Sequence, residues 1–214
     1  TLLLGRPNVL SFSAHTHTIS VGYLTEEAGW SGVNPHFHIN AGAACGRWWG
    51  GARDETDIPH ATGSDGSPNG YFVASFRGTD YSVRFKAARR PADYQMQVQA
   101  PSQVARAALA ETPLFVNVFG GSDQSVVEMS VDDSGQWVAL DYAPQPDPLY
   151  ARVTERESGQ RASVSSHMWE GRLPAGLGVG GHLIRVRTTD LWGQTFTGSR
   201  IVRVVEEAPP PPPG

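Results

Sequence analysis

A single cysteine, Cys45, is all the sulfhydryl chemistry the chain has. One thiol excludes an internal disulfide framework and leaves the redox compartment open, with a periplasmic or secreted location as the working expectation. Cys45 lies in a run of small residues, 41–46, and reads as a small buried hydrophobe. No apolar run approaches the roughly 20 residues of a membrane-spanning helix. Basic residues are few: 17 Lys and Arg stand against 21 Asp and Glu, for a net charge of −4. They form no stripe, so nucleic acid is not an expected partner, and Arg89-Arg90 reads as a solvated turn. A G-x-S-x-G elbow is absent, which excludes the common Ser/His/Asp hydrolase pattern. An H-E-x-x-H zinc helix and a phosphate-cradling P-loop are absent too. No internal repeat of 20–50 residues stands out.

What the chain does have is turn chemistry. Its 24 glycines and 16 prolines punctuate short β-prone runs, a pattern of β structure rather than helix bundles. At 214 residues it has room for one large or two modest domains. Strands are expected over 18–25 and 36–41, then over 71–77, 81–87, 94–99, 114–119, 125–131, 137–141, 149–154, 182–187 and 200–205. Regular short strands between Gly, Pro and Asp turns imply an antiparallel, Ig-like β-sandwich. The one helical candidate is 102–110, alanine-rich after Pro101. Dense turn residues from Ser64 to Gly70 mark the expected domain boundary. Pro209 to Pro213 read as a polyproline II tail.

Residues 9–14 are apolar and β-prone and run into His15-Thr16-His17. On an extended strand residues i and i+2 share a face, so this triplet would aim two imidazoles at one point, as bonds to one metal or to two adjacent metals require. Upstream, Leu2-Leu3-Leu4-Gly5 reads as the end of a helix. Helix end, turn, buried strand and polar residues at its carboxyl end is α/β grammar, and ligands of open α/β sheets bind at that edge.

Ser13-Ala14-His15-Thr16-His17 resembles the last metal-binding motif of the calcineurin-like metallophosphoesterases, usually Gly-His-x-His. Ala14 departs from it where the family has glycine, which matters if that position needs a positive φ. Further pieces follow in order: residues 44–51, Ile58-Pro59-His60, residues 64–71, Asn117-Val118-Phe119, Ser166-His167-Met168-Trp169, Leu173-Pro174, Gly181-His182, Asp190 and Gly193. Together they resemble a bacterial subgroup with an extra C-terminal β domain. The resemblance implies a hydrolase that uses two metals, about 3.5–4 Å apart, to activate water and stabilise an in-line displacement at phosphorus. It implies His15 and His17 as metal ligands, iron, manganese or zinc as the metals, and a phosphoester as substrate.

The family's other motifs, Asp-x-His, Gly-Asp-x-x-Asp and Gly-Asn-His-Asp/Glu, should precede the histidine pair and do not. The expectation is therefore a C-terminal piece of a longer enzyme, inactive alone, whose partner is an upstream phosphoesterase domain of the same chain. Residues 1–63 would be the end of the catalytic domain, 64–207 the β-sandwich, and 208–214 a tail. The fold class expected is mainly β: the C-terminal edge of an α/β phosphoesterase sheet followed by the sandwich.

Around the pair, His36, His38, Trp48, Trp49, His60 and Asp65 are candidates for lining the same cleft. His36 and His38 read equally as satisfied polar residues on an outer strand. Trp137, Trp169 and Trp192 read as core or turn packing. A different class of function, a β-sandwich module that grips glycan or envelope material, is the alternative. A cupin-like metal site is disfavoured, because Val21 and Gly22 stand where a glutamate is wanted.

Overall fold

The computed structural model describes residues 3–4, 6, 9–47, 53, 57, 61–154 and 161–207. Three strands open the chain: β1 (Leu10–Ser13), β2 (Ile19–Leu24) and β3 (His36–Ala41). They form one sheet in the order β1-β3-β2, with β1 parallel to β3 and β2 antiparallel to it. Alternation gives this sheet two different faces. Ile19, Val21, Phe37 and Ile39 are buried on one, while Ser11, Ser13, His38 and Asn40 lie on the other.

The apolar face is covered by a hairpin of β4 (Gly70–Arg77) and β5 (Asp80–Ala87). Val83, Phe85 and Ala87 of β5 join Ile19, Val21, Phe37, Ile39 and Phe119 in one core cluster, with Trp192 packed against it. This core spans residues on both sides of position 64.

Then follow β6 (Met96–Gln99), β7 (Gln103–Ala105), β8 (Pro113–Val118), β9 (Val126–Val131), β10 (Val138–Ala139), β11 (Asp141–Tyr142), β12 (Gln145–Pro146) and helix α1 (Pro148–Thr154). The chain closes with β13 (Val164–Ser165), β14 (Met168–Arg172), β15 (Gly180–Thr189) and β16 (Thr195–Val205). A five-stranded sheet, β10-β9-β15-β16-β7, faces a four-stranded one, β11-β14-β8-β6. All neighbours are antiparallel except β7 and β16, and the protein is mainly β with a sandwich, as expected. The core between the sheets holds Leu114, Val116, Trp169, Ile184, Val186, Val202 and Val204. Each fully buried aliphatic side chain contributes about 1.5–3 kcal/mol relative to exposure.

Four local expectations are corrected. Residues 149–154 are helical, because Asp147 caps them: its Oδ1 accepts the Tyr150 N–H at 2.8 Å. Residues 102–110 are not an α-helix; they begin as β7 and continue as a 3-10 turn, Arg106–Glu111, since Val104 and Leu109 must both reach the core. The run 137–141 splits into β10 and β11, which join different sheets on either side of buried Leu140. Cys45 is half-buried rather than buried. Of the expected N-terminal helix end, Leu2 and Gly5 lie outside the described residues, and Leu3 accepts the Arg6 N–H in a turn at 3.0 Å.

Candidate metal-ligand bend and its buried support

β1 stops at Ser13, so the histidine pair lies on a bend and not on a strand. His15 has φ 99° and His17 has φ 58°, whereas Ala14 is not left-handed. Two non-glycine residues in the left-handed region within three positions signal a backbone held by its surroundings. The strand-alternation argument therefore does not place the imidazoles; the bend does. His15 is exposed and His17 half-buried.

His17 is oriented by a loop. Its Nδ1 lies 2.8 Å from the Gly46 carbonyl oxygen and 2.9 Å from that of Arg47. Carbonyls only accept, so Nδ1 carries the proton, and the neutral tautomer has its lone pair on Nε2. A ring N–H on a backbone carbonyl is what fixes metal-ligating histidines. Gly46 itself is required at its place: φ is 63°, and a Cβ there would come within 1.4 Å of the Ala61 carbonyl oxygen.

The second pair, His36 and His38, is on β3 as expected. His36 is buried, stacks on Trp30 with ring centroids 4.5 Å apart, and its Nε2 is 2.7 Å from Ser11 Oγ. His38 Nδ1 is 2.7 Å from Ser11 Oγ, and its Nε2 is 2.9 Å from Ser13 Oγ. Burial lowers the His38 pKa, and the neighbouring His36 lowers it further. These imidazoles are satisfied by serine hydroxyls of β1.

Asp65 is fully buried and so lines no open cleft. Its Oδ1 accepts the Ser67 N–H at 3.0 Å and the Ser67 hydroxyl at 2.5 Å. Its Oδ2 accepts the Ile19 N–H at 2.5 Å and faces His167 Nε2 at 3.2 Å. His167 Nδ1 is 2.8 Å from Asn117 Oδ1. The Asn117 amide nitrogen donates to the Asp65 carbonyl at 3.0 Å and to Asp147 Oδ2 at 2.7 Å. Both are acceptors, so the amide orientation is fixed and both His167 nitrogens face acceptors, the pattern an imidazolium satisfies. Burial pushes the Asp65 carboxyl up, but the hydrogen bond and charge of His167, with Ser67 and Ile19, outweigh it and hold the pKa below its ordinary value. Sequence reasoning gave Asn117 and His167 no role. Asn117 lies inside apolar β8 and His167 in the turn just before β14, and both were read only as part of the resemblance.

Trp48, Trp49 and His60 lie outside the described residues. Trp169 is in the sandwich core, Trp192 packs on the other core, and the Trp137 ring lies 4.2 Å under the Arg187 guanidinium. Among the described residues no group of three His, Cys, Asp or Glu is arranged to hold a metal ion. No described helix is long and apolar enough to cross a membrane.

The family model described as the C-terminal part of calcineurin-like phosphoesterase matches residues 38–196, well over half of the chain. His15 and His17 lie just ahead of that match. No curated protein matches the chain significantly. Among solved structures, CopC from Methylosinus trichosporium OB3b is 16% identical, over 50% of this chain and 88% of its own, with a TM-score of 0.30, a likeness too slight to bear on fold or function.

Proposed function

This chain belongs to the C-terminal family of calcineurin-like phosphoesterases, and on that premise we propose that it is the C-terminal part of a metal-dependent phosphoester hydrolase. In this reading residues 1–63 close the catalytic domain, 64–207 are the accessory β-sandwich domain, whose β4–β5 hairpin packs on the first sheet, and 208–214 are a tail or linker. His15 and His17 are the last two metal ligands. The observation that supports this reading is the His17 ring: its Nδ1–H faces the Gly46 and Arg47 carbonyls, the arrangement that orients metal-ligating histidines.

The donor set fits two ligands of a site that needs three or four. The remaining ligands come from an upstream domain of the same chain. Two ions drawn from iron, manganese and zinc would, when bound, supply the Lewis-acid charge for displacement at phosphorus. What this chain does is hold two imidazoles just past the end of β1, one of them oriented by the Gly46 and Arg47 carbonyls.

Two results test the reading. The sequence encoded upstream should carry Asp-x-His and Gly-Asn-His-Asp/Glu; an unrelated upstream domain would overturn it. In the full-length protein, His17→Ala should lower kcat on bis-p-nitrophenyl phosphate by more than the roughly 10–100-fold typical of residues behind a ligand. Its metal-free melting temperature should stay near that of the parent, because a half-buried ligand on a bend serves the ion and not the core. Full activity of that variant would refute the assignment.

A further inference from the structure

The residue after next from His17 is gripped from the far side of the proposed domain boundary. Ile19 begins β2, and its two backbone groups are both taken by side chains of later segments. Asp65 Oδ2 accepts its N–H at 2.5 Å, and the Ser166 hydroxyl donates to its carbonyl at 3.3 Å. Asp65 cannot relax, since Ser67 and His167 hold it and Asn117 holds His167. The anchor on the other side of His17 leads to the same loop. Arg47, whose carbonyl the ring uses, donates its N–H to the Thr62 carbonyl at 3.4 Å, and Gly46 presses on Ala61. Gly63 is wedged in between: a Cβ there would meet Asp65 Oδ1 at 2.7 Å, Ser67 Oγ at 2.9 Å and the His17 carbonyl oxygen at 3.1 Å. Residues 63–67 are all buried, unusual for a loop; Asp65 grips Ile19 and His167, while Ser64 is bonded to Ser163.

We propose that Asp65 is a positioning residue for the metal-ligating bend, acting through the Ile19 N–H. The inference rests on the reading of His17 as a ligand. A hydrogen bond from a backbone N–H to a buried carboxylate is charge-assisted and strong. Two residues of chain reach at most about 7 Å, so a shift of Ile19 is carried into His17. A ligand displaced by about 1 Å costs about a hundredfold in rate. On this view the accessory sandwich, through Asp65, Asn117 and His167, is part of the active-site scaffold and not a detachable binding module. The left-handed backbone at His15 and His17 is what that grip maintains.

The test uses the full-length protein, with Mn²⁺ affinity measured by competition against a fluorescent chelator and turnover of bis-p-nitrophenyl phosphate measured in parallel. All readings are taken well below each variant's melting temperature, with near-UV circular dichroism to establish the fold. Asp65→Asn should weaken Mn²⁺ binding and lower kcat by about 10–100-fold, with KM little changed. Val186→Ala, a cavity in the sandwich core away from the loop, should lower the melting temperature and leave Mn²⁺ affinity alone. Unchanged affinity and kcat in a folded Asp65→Asn protein would overturn the inference. Should that variant not fold, Gly63→Ala keeps the carboxylate and pushes a methyl toward the His17 carbonyl; the same losses support the inference and parent-like values overturn it. His17→Ala separates the two claims. If it loses Mn²⁺ while both loop variants keep it, only the role of Asp65 falls; if it keeps Mn²⁺, the ligand reading falls and this inference with it.

Discussion

Two histidine–aspartate pairs sit in the sandwich half of the molecule. His182 Nδ1 is 2.6 Å from Asp132 Oδ2, with side chains 14% and 49% exposed; His167 Nε2 is 3.2 Å from Asp65 Oδ2, with both side chains at 0%. The open pair is the shorter one, yet distance is not what sets its weight. Water screens the Asp132 carboxylate and will solvate it if the histidine is removed. Asp65 is shut off from solvent, and each partner is fixed by another: Ser67, Ile19, His167, then Asn117, then Asp147. Breaking a buried pair leaves an uncompensated charge, so its loss costs far more than its formation gained. The difference also has a functional side, because the buried pair touches the backbone that carries His17 and the open one touches its own sheet and the loop before β15.

The largest effect should come from His167→Ala. It strands the Asp65 carboxylate, leaves Asn117 Oδ1 without its partner and opens a cavity. A loss of about 3–5 kcal/mol is expected, read as a lower urea midpoint at an unchanged m-value. A loss under about 1 kcal/mol would erase the distinction between the two pairs.

How far this was legible in the sequence depends on the kind of signal. Apolar alternation is a local property, and it located β2, β3, β4, β5, β8, β9, β15 and β16 to within a few residues. It failed at 149–154, where the apolar residues suit either period and the Asp147 cap decides. It failed again at the histidine pair, because a bend with two left-handed residues has no pattern of its own. Short strands such as β12 and β13 exist through pairing with each other, which no single segment announces. Some pieces of the ordered resemblance turn out to be turn chemistry: Asp190 Oδ1 accepts the N–H groups of Trp192 and Gln194, and Gly193 has φ 73°, which closes the β15–β16 hairpin. The buried cluster was out of reach for a simpler reason. Asp65, Asn117, Asp147 and His167 are separated by 20–52 residues at each step, and only the fold brings them together.

The next effect in size concerns acid. Asp65 has a pKa below its ordinary value, so it binds its proton less readily folded than unfolded. Its contribution is fully present above the unfolded carboxylate value of about 3.9 and is lost as pH falls from there through the folded value. One such group steepens the loss by up to about 1.4 kcal/mol per pH unit. Urea midpoints measured between pH 2 and 6 should therefore fall more steeply for the parent than for Asp65→Asn. Parallel curves would mean that the Asp65 pKa does not change on folding, and the contrast with the open pair would lose its electrostatic basis.

The smallest effect should be that of His182→Ala, and its pH dependence runs the other way. The hydrogen bond from His182 to Asp132, with that to the Gly178 carbonyl, raises the imidazole pKa against the opposing effect of burial. A raised pKa stabilises fully below the unfolded value of about 6.5 and stops as pH rises through the folded value. The Asp132 carboxyl is lowered chiefly by the same histidine, so its share is present only above about 3.9. The pair thus works in a window from about pH 4 to somewhat above 6.5. In the variant, Asp132 keeps the Leu183 N–H at 2.9 Å and turns its other oxygen to water, so little is stranded. The expected loss is below about 1 kcal/mol near pH 5.5 at low salt. It should shrink toward pH 9, and again in 1 M salt, where screening acts over about 3 Å. Thermal melts of parent and variant at the two pH values and two salt concentrations decide the matter. A loss above about 2 kcal/mol that ignores both pH and salt would mean that the His182 ring is held by packing, and that solvent exposure does not separate the two pairs.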